Sequence, residues 1–101
     1  MAKKKIKIQQ YFYLRSQVGS KLNRLETELD NYLYRHDRKV FNNQQELSRW
    51  LEGLSIQCKI LNSCHSRSTP ATVEKETESD SRLVYRLTSR LIVVIYKSNM
   101  D

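Results

Sequence analysis

Basic residues interleaved with tyrosines are the feature of this sequence with the clearest chemical use. Lys3, Lys4, Lys5 and Lys7 precede Tyr11 and Tyr13, and Arg82, Arg86 and Arg90 recur at every fourth position near the other end. Ammonium and guanidinium groups neutralise phosphates while aromatic rings stack on bases, so a surface that alternates the two suits a single-stranded nucleic acid. The charges are also segregated. Met1 to Leu25 holds seven basic residues and no acidic one, and Arg82 to Lys97 holds four, again without an acid. Glu74, Glu76, Glu78 and Asp80 form an acidic run just before the second basic stretch. Eighteen Lys and Arg against eleven Asp and Glu give a net charge of +7. A balance of this kind points to an anionic partner. Nucleic acid is the first expectation, RNA slightly ahead of DNA, and an acidic protein the second. The competing account is a solvated surface in which cations merely guard exposed sheet edges.

Other chemistries are poorly supplied. Gly19 and Gly53 are the only glycines, so no phosphate-cradling loop can be written. Cys58, Cys64 and His65, with His36 elsewhere, lack the paired spacing of a zinc site, and no metal or other cofactor is expected. No local arrangement activates a serine or cysteine nucleophile, and a non-enzymatic protein is expected. A helix-turn-helix centred on Gln44 to Ser55 would make Ile56 to Asn62 the recognition helix, with Arg49 and Lys59 on phosphates. Arg49 stands where that motif wants a small residue, and the recognition segment is rich in β-formers.

The elements that would position these residues follow from hydrophobic periodicity. A chain of 101 residues is one domain, 1–101. Residues 4 to 13 alternate, with Ile6, Ile8 and Phe12 on one face and Lys5, Lys7, Tyr11 and Tyr13 on the other, as in a half-buried strand. Val18, Leu22, Leu25, Leu29 and Leu33 then form one stripe of an amphipathic helix from about Leu14 to His36, with Ser16 as a candidate N-cap and Gly19 inside it. Asn43 and Glu46 have capping-box spacing ahead of Leu47, Trp50, Leu51 and Leu54, and Gly53 reads as the stop of this second helix. Ser55 to Leu61 alternates weakly, as a strand would. Residues 62–80 read as a mobile polar and acidic loop. Arg82 to Lys97 is dense in β-branched residues and exceeds the usual strand length, which favours a hairpin turning at Thr88–Ser89. The expected fold class is α+β. Two amphipathic helices form an αα-hairpin on a small, mostly antiparallel sheet, in the order β-α-α-β-β-β.

The tail Ser81-Arg82-Leu83-Val84-Tyr85-Arg86-Leu87-Thr88-Ser89-Arg90-Leu91-Ile92-Val93-Val94-Ile95-Tyr96 resembles the last hairpin of RelE/ParE-type toxins. That resemblance implies a small ribosome-dependent mRNA nuclease or a gyrase poison held by an antitoxin. The likeness covers about sixteen residues, and Lys97-Ser98-Asn99 stands where many nuclease members carry His, Arg or Tyr, so no catalytic role transfers.

Partners and location complete the expectations. The longest apolar run, Leu91 to Tyr96, is six residues, so no membrane span is expected. The N-terminal stretch lacks a secretory apolar core and the two cysteines are too few for a disulfide framework, which together suggest a reducing, cytoplasmic setting. The Val18–Leu33 stripe is long enough to serve as a homodimer seam.

Overall fold

The N-terminal alternation continues further than its apolar spacing suggests. In the computed structural model, which describes residues 8–19, 21–65 and 70–100, strand β1 spans Ile8–Gln17 and the first helix, α1, starts only at Arg24 and ends at Tyr34. β2 (Val40–Phe41), α2 (Gln44–Cys64), β3 (Glu74–Glu78), β4 (Arg82–Arg86) and β5 (Leu91–Met100) follow. The five strands form one antiparallel sheet in the order β2-β1-β5-β4-β3. The class is α+β, with element order β-α-β-α-β-β-β in place of β-α-α-β-β-β. Lys3, Lys4, Lys5, Ile6 and Lys7 lie outside the described residues.

Residues 14 to 17 belong to the sheet because of their partner. β1 pairs with β5 at ten positions, from Ile8 opposite Met100 to Gln17 opposite Leu91. Ser16 is therefore a strand residue and not an N-cap. The chain leaves the sheet through Gly19, whose φ of +78° a side chain would disfavour. The cap of α1 is Asn23. Its side chain accepts from the Glu26 amide at 2.8 Å, and its own amide donates to Glu26 Oε1 at 2.9 Å, a complete capping box. Leu25, Leu29 and Leu33 keep the expected stripe and are fully buried in the chain's own core, while Val18, outside the helix, is 39% exposed. The stripe thus has its partner within the chain and offers no homodimer seam.

α2 is one continuous helix of 21 residues. Asn43 caps it as its spacing suggests, accepting from the Glu46 amide at 2.9 Å, while Glu46 reaches back to the amide of Asn42. Gly53 does not stop it. Leu47, Trp50, Leu54, Cys58 and Leu61 are buried along one face at steps of three and four, and burying each large apolar side chain is worth about 1.5–3 kcal/mol. A mid-helix glycine costs roughly 1 kcal/mol, which that burial outweighs. The expected strand over 55–61 is helical for the same reason, with Ile56 and Ile60 left exposed. A helix-turn-helix is excluded, since no turn separates its two halves.

The segment 62–80 is not one loop. The Asn62 side chain donates to the Ala71 carbonyl at 2.7 Å and accepts from the Ala71 amide at 2.8 Å, fastening the chain to α2 before β3 begins. All five β3 residues are exposed and four of them are charged, which blunts the sheet edge against further pairing. The hairpin does turn at Thr88–Ser89. Its lack of Gly or Asn is met by the Thr88 hydroxyl, which accepts from the Arg90 and Leu91 amides at 3.1 Å each.

Both helices pack on one face of the sheet. Tyr11, Tyr13, Leu83, Tyr85, Leu87, Leu91, Val93 and Ile95 meet the α1 and α2 stripes there. Trp50 sits among rings, 4.7 Å from Tyr13 and 5.3 Å from Phe41 between centroids. Deepest of the charged groups is Glu26, with no exposed surface. It accepts from the Thr88 hydroxyl and from Arg90 Nε at 2.8 Å. Burial alone would raise its pKa, but the Asn23 amide, Thr88 and Arg90 outweigh that and hold the carboxyl below its ordinary value.

Substitution at the two glycines should have opposite signs. Among the described residues, no atom beyond each glycine's own chain neighbours and helix backbone lies within 4 Å of a methyl added there, so conformation decides. Gly53→Ala should stabilise by about 0.5–1 kcal/mol, and Gly19→Ala should destabilise by about 1–2 kcal/mol, both read by urea denaturation. Glu26→Ala should cost about 3 kcal/mol at neutral pH by leaving Arg90 without its carboxylate. Since the folded-state pKa of Glu26 is lowered, its contribution is full above about pH 4.3 and is lost as pH falls through the folded pKa. Glu26→Gln should therefore flatten the acid limb of a stability–pH profile.

Candidate nucleic-acid interface

Alternation on a strand sends neighbouring side chains to opposite faces, and the helices cover only one. Tyr11 and Tyr13 go to the helix side, where they are 6% and 2% exposed. Neither presents a face for stacking, which corrects the expectation that they share the accessible face of the N-terminal strand. The Tyr13 hydroxyl donates to the Leu33 carbonyl at 3.4 Å, and burial raises its pKa, so it stays a neutral phenol. Gln10, Phe12, Leu14 and Ser16 of β1 face outward in their place. Phe12 and Leu14 are 36% and 42% exposed.

The strand register arranges this outer face in rows. Phe12 lies opposite Val40 on one side and Tyr96 on the other, and Tyr96 lies opposite Arg82. The first row across the sheet is therefore Val40, Phe12, Tyr96 and Arg82. In the next row Leu14, Val94, Val84 and Thr77 follow in the same order. Ser16, Ile92 and Arg86 make a third, ending on Glu74. On the other flank of the aromatic row, Gln10 pairs with Ser98, and the Gln10 amide donates to the Asn42 side chain at 3.4 Å. Tyr96, Val40 and Leu14 all keep two-fifths or more of their surface in solvent. An aromatic pair on the neighbouring interior strands β1 and β5 thus sits between a polar row and an apolar one, with an arginine at its end.

The three arginines of the C-terminal segment have different surroundings. Arg82 is exposed and has no ion pair among the described residues. Arg86 shares its face but donates to Glu76 Oε1 from Nε at 3.1 Å and Nη2 at 2.9 Å, with further bonds to the Thr88 and Ser89 carbonyls. Arg90 lies past the turn, off that face, and its guanidinium is held by buried Glu26. The turn thus separates Arg90 from Arg82 and Arg86, which a single continuous strand would have kept together. Arg15, outside the expected set, points to the helix side, bonds Asp30 and lies 4.8 Å above the Tyr34 ring.

Phe12 and Tyr96 are the residues that sequence reasoning did not single out. The signal was the register itself: Phe12 shares parity with Leu14, and both alternate with the two tyrosines that the core takes.

Cys58 is buried and its thiol is pushed up to about 11 by desolvation, while Cys64 is exposed. Among the described residues, no three or more His, Cys, Asp or Glu cluster to hold a metal ion. No described helix is long and apolar enough to cross a membrane. Comparison with family models, with characterised proteins and with solved structures finds no match for this chain.

The outward and inward aromatic sets should separate by stability. Phe12→Ala and Tyr96→Ala remove one exposed cross-strand pair and should each cost no more than about 1 kcal/mol. Tyr13→Ala, which opens the core beside Trp50, should cost about 3–5 kcal/mol. Denaturant midpoints at matched slope provide the check.

Proposed function

We propose that this chain is a non-enzymatic protein that binds single-stranded nucleic acid on the outer face of its sheet, RNA ahead of DNA. The observation that carries the reading is the adjacency of Phe12 and Tyr96 on the neighbouring interior strands β1 and β5, in one row with Arg82. Two neighbouring rings on an open sheet supply stacking surfaces for successive bases, which is worth about 1–3 kcal/mol per base. Arg82 supplies a phosphate contact at the end of that row. Arg86 is a weaker contributor, because Glu76 already neutralises it. Lys7 precedes Phe12 by five residues and Lys3, Lys4 and Lys5 precede it further, which supplies positive charge in sequence beside the aromatic row. The amide and hydroxyl groups of Gln10, Asn42 and Ser98 on the flanking row suit a ribose 2′-hydroxyl, the group that separates RNA from DNA.

Fluorescence anisotropy with labelled single-stranded RNA, single-stranded DNA and duplex DNA tests this. Binding should favour RNA and weaken steeply between two salt concentrations. Phe12→Ala and Tyr96→Ala should each reduce affinity about five- to 150-fold, the equivalent of about 1–3 kcal/mol. Arg82→Ala should lower the salt slope by about 0.7. Tyr11→Phe should change nothing, since that ring is in the core. Absence of binding at low salt overturns the reading. Copurification of a defined acidic protein at fixed stoichiometry, lost in the Phe12 and Tyr96 variants, would assign the same face to a protein partner.

A further inference from the structure

On the opposite side of the sheet, the first turns of α2 leave a cavity of about 260 Å³ over the ends of β1, β3, β4 and β5. Its walls include Tyr11, Gln44, Lys75, Glu78, Tyr85 and Lys97. The charges there do not balance. Lys97 opposes Tyr11 in the ladder and so projects inward, where its side chain is only 14% exposed. A lysine side chain covered to that degree is best served by a carboxylate within hydrogen-bond reach. Among the described residues, the carboxylate beside it is that of Glu78, whose Oε2 stands 3.9 Å away. The other oxygen of Glu78 already accepts from Lys75 at 2.7 Å. Among the described residues that line the cavity, two ammonium groups thus share one carboxylate, which leaves one positive charge in excess.

The remaining walls suit the same ligand. Burial raises the pKa of Tyr85, which keeps its phenol neutral and able to donate. Gln44 is the first residue of α2, so the positive end of that helix's dipole stands beside the cavity. The volume lies just below the range of about 300–1,000 Å³ that holds drug-sized ligands, which limits the occupant to a small molecule.

We propose that this cavity is a binding site for a small oxyanion, a phosphate or phosphate monoester, held between Lys97 and Lys75 and completed by donors of Tyr85 and the start of α2. Glu78 is the competing anion of the site. It holds Lys75 when the ligand is absent, and the ligand takes up the charge that it leaves unmatched on Lys97. The site is separate from the outer face and does not depend on the nucleic-acid reading.

Titration calorimetry and thermal shift with inorganic phosphate and glycerol 3-phosphate, against chloride at matched ionic strength, test the proposal. Saturable binding with a rise in melting temperature is expected for the full chain. Lys97→Met keeps the buried stem and removes the charge. It should weaken binding at least tenfold while leaving the free protein as stable as before or more so. Glu78→Gln, at a half-exposed position that folding tolerates, should tighten binding several-fold by removing the competing carboxylate. Phe12→Ala with Tyr96→Ala should leave phosphate binding unchanged. A 5′-phosphorylated oligonucleotide that binds through this cavity would lose affinity in Lys97→Met relative to its unphosphorylated form, whereas a free metabolite source leaves those two oligonucleotides equal. No saturable effect at matched ionic strength overturns the proposal. So does phosphate binding that neither Lys97→Met nor Glu78→Gln alters.

Discussion

The layout of this protein depends on the buried carboxylate of Glu26. As the third residue of α1 it closes the capping box with Asn23, which fixes where the helix starts. The same group receives the Thr88 hydroxyl and the Arg90 guanidinium from the turn between β4 and β5. One side chain therefore ties the N-terminal end of a helix to the hairpin that builds the sheet. Burying a carboxylate is costly, and only the convergence of these donors offsets it. Once the turn is held there, β5 is placed, and β1 follows through its ten-residue ladder.

That ladder determines which side chains meet solvent. Two helices cover one face of a five-stranded sheet, and the period of two leaves the alternate residues on the other. The outer face is unusual in what it holds: two aromatic residues side by side on the neighbouring interior strands β1 and β5, with apolar and polar rows on either flank. The edges are handled differently. β2 is two residues long, and β3 is exposed along its whole length, with charge at four of its five positions. Such edges discourage strand addition, so the broad face rather than the rim is the surface available for recognition.

The net charge of +7 is a sum over residues with unlike duties. Arg15 and Arg90 hold the fold together through Asp30 and Glu26, and Arg86 is matched by Glu76. Arg82 stands free on the outer face among the described residues, and Lys97 lies beneath α2 with its carboxylate, 3.9 Å away, shared with Lys75. The positions where charge is left unmatched are more informative about ligands than the total, because a matched pair has already spent its field on its neighbour.

Local patterns in the sequence determined a good part of this structure. The stripe of Leu25, Leu29 and Leu33, the cap at Asn43 and the turn at Thr88–Ser89 all depend on residues a few positions apart, and each is legible without the fold. The extent of α2 was legible only in part, since Leu54, Cys58 and Leu61 continue the helical step while Gly53 and the neighbouring isoleucines suggest a break. Tertiary burial decided in favour of the helix. The face of β1 that enters the core could not be read locally, because Tyr11 and Tyr13 on one side and Phe12 and Leu14 on the other are equally good strand residues. Pairing with β5, whose partner residues lie 74 to 92 positions away in sequence, resolved that choice and with it the identity of the exposed aromatics. The clamp between Glu26 and Arg90 is of the same kind. A sequence states local preference, but which of two good faces is buried depends on what the rest of the chain brings against it.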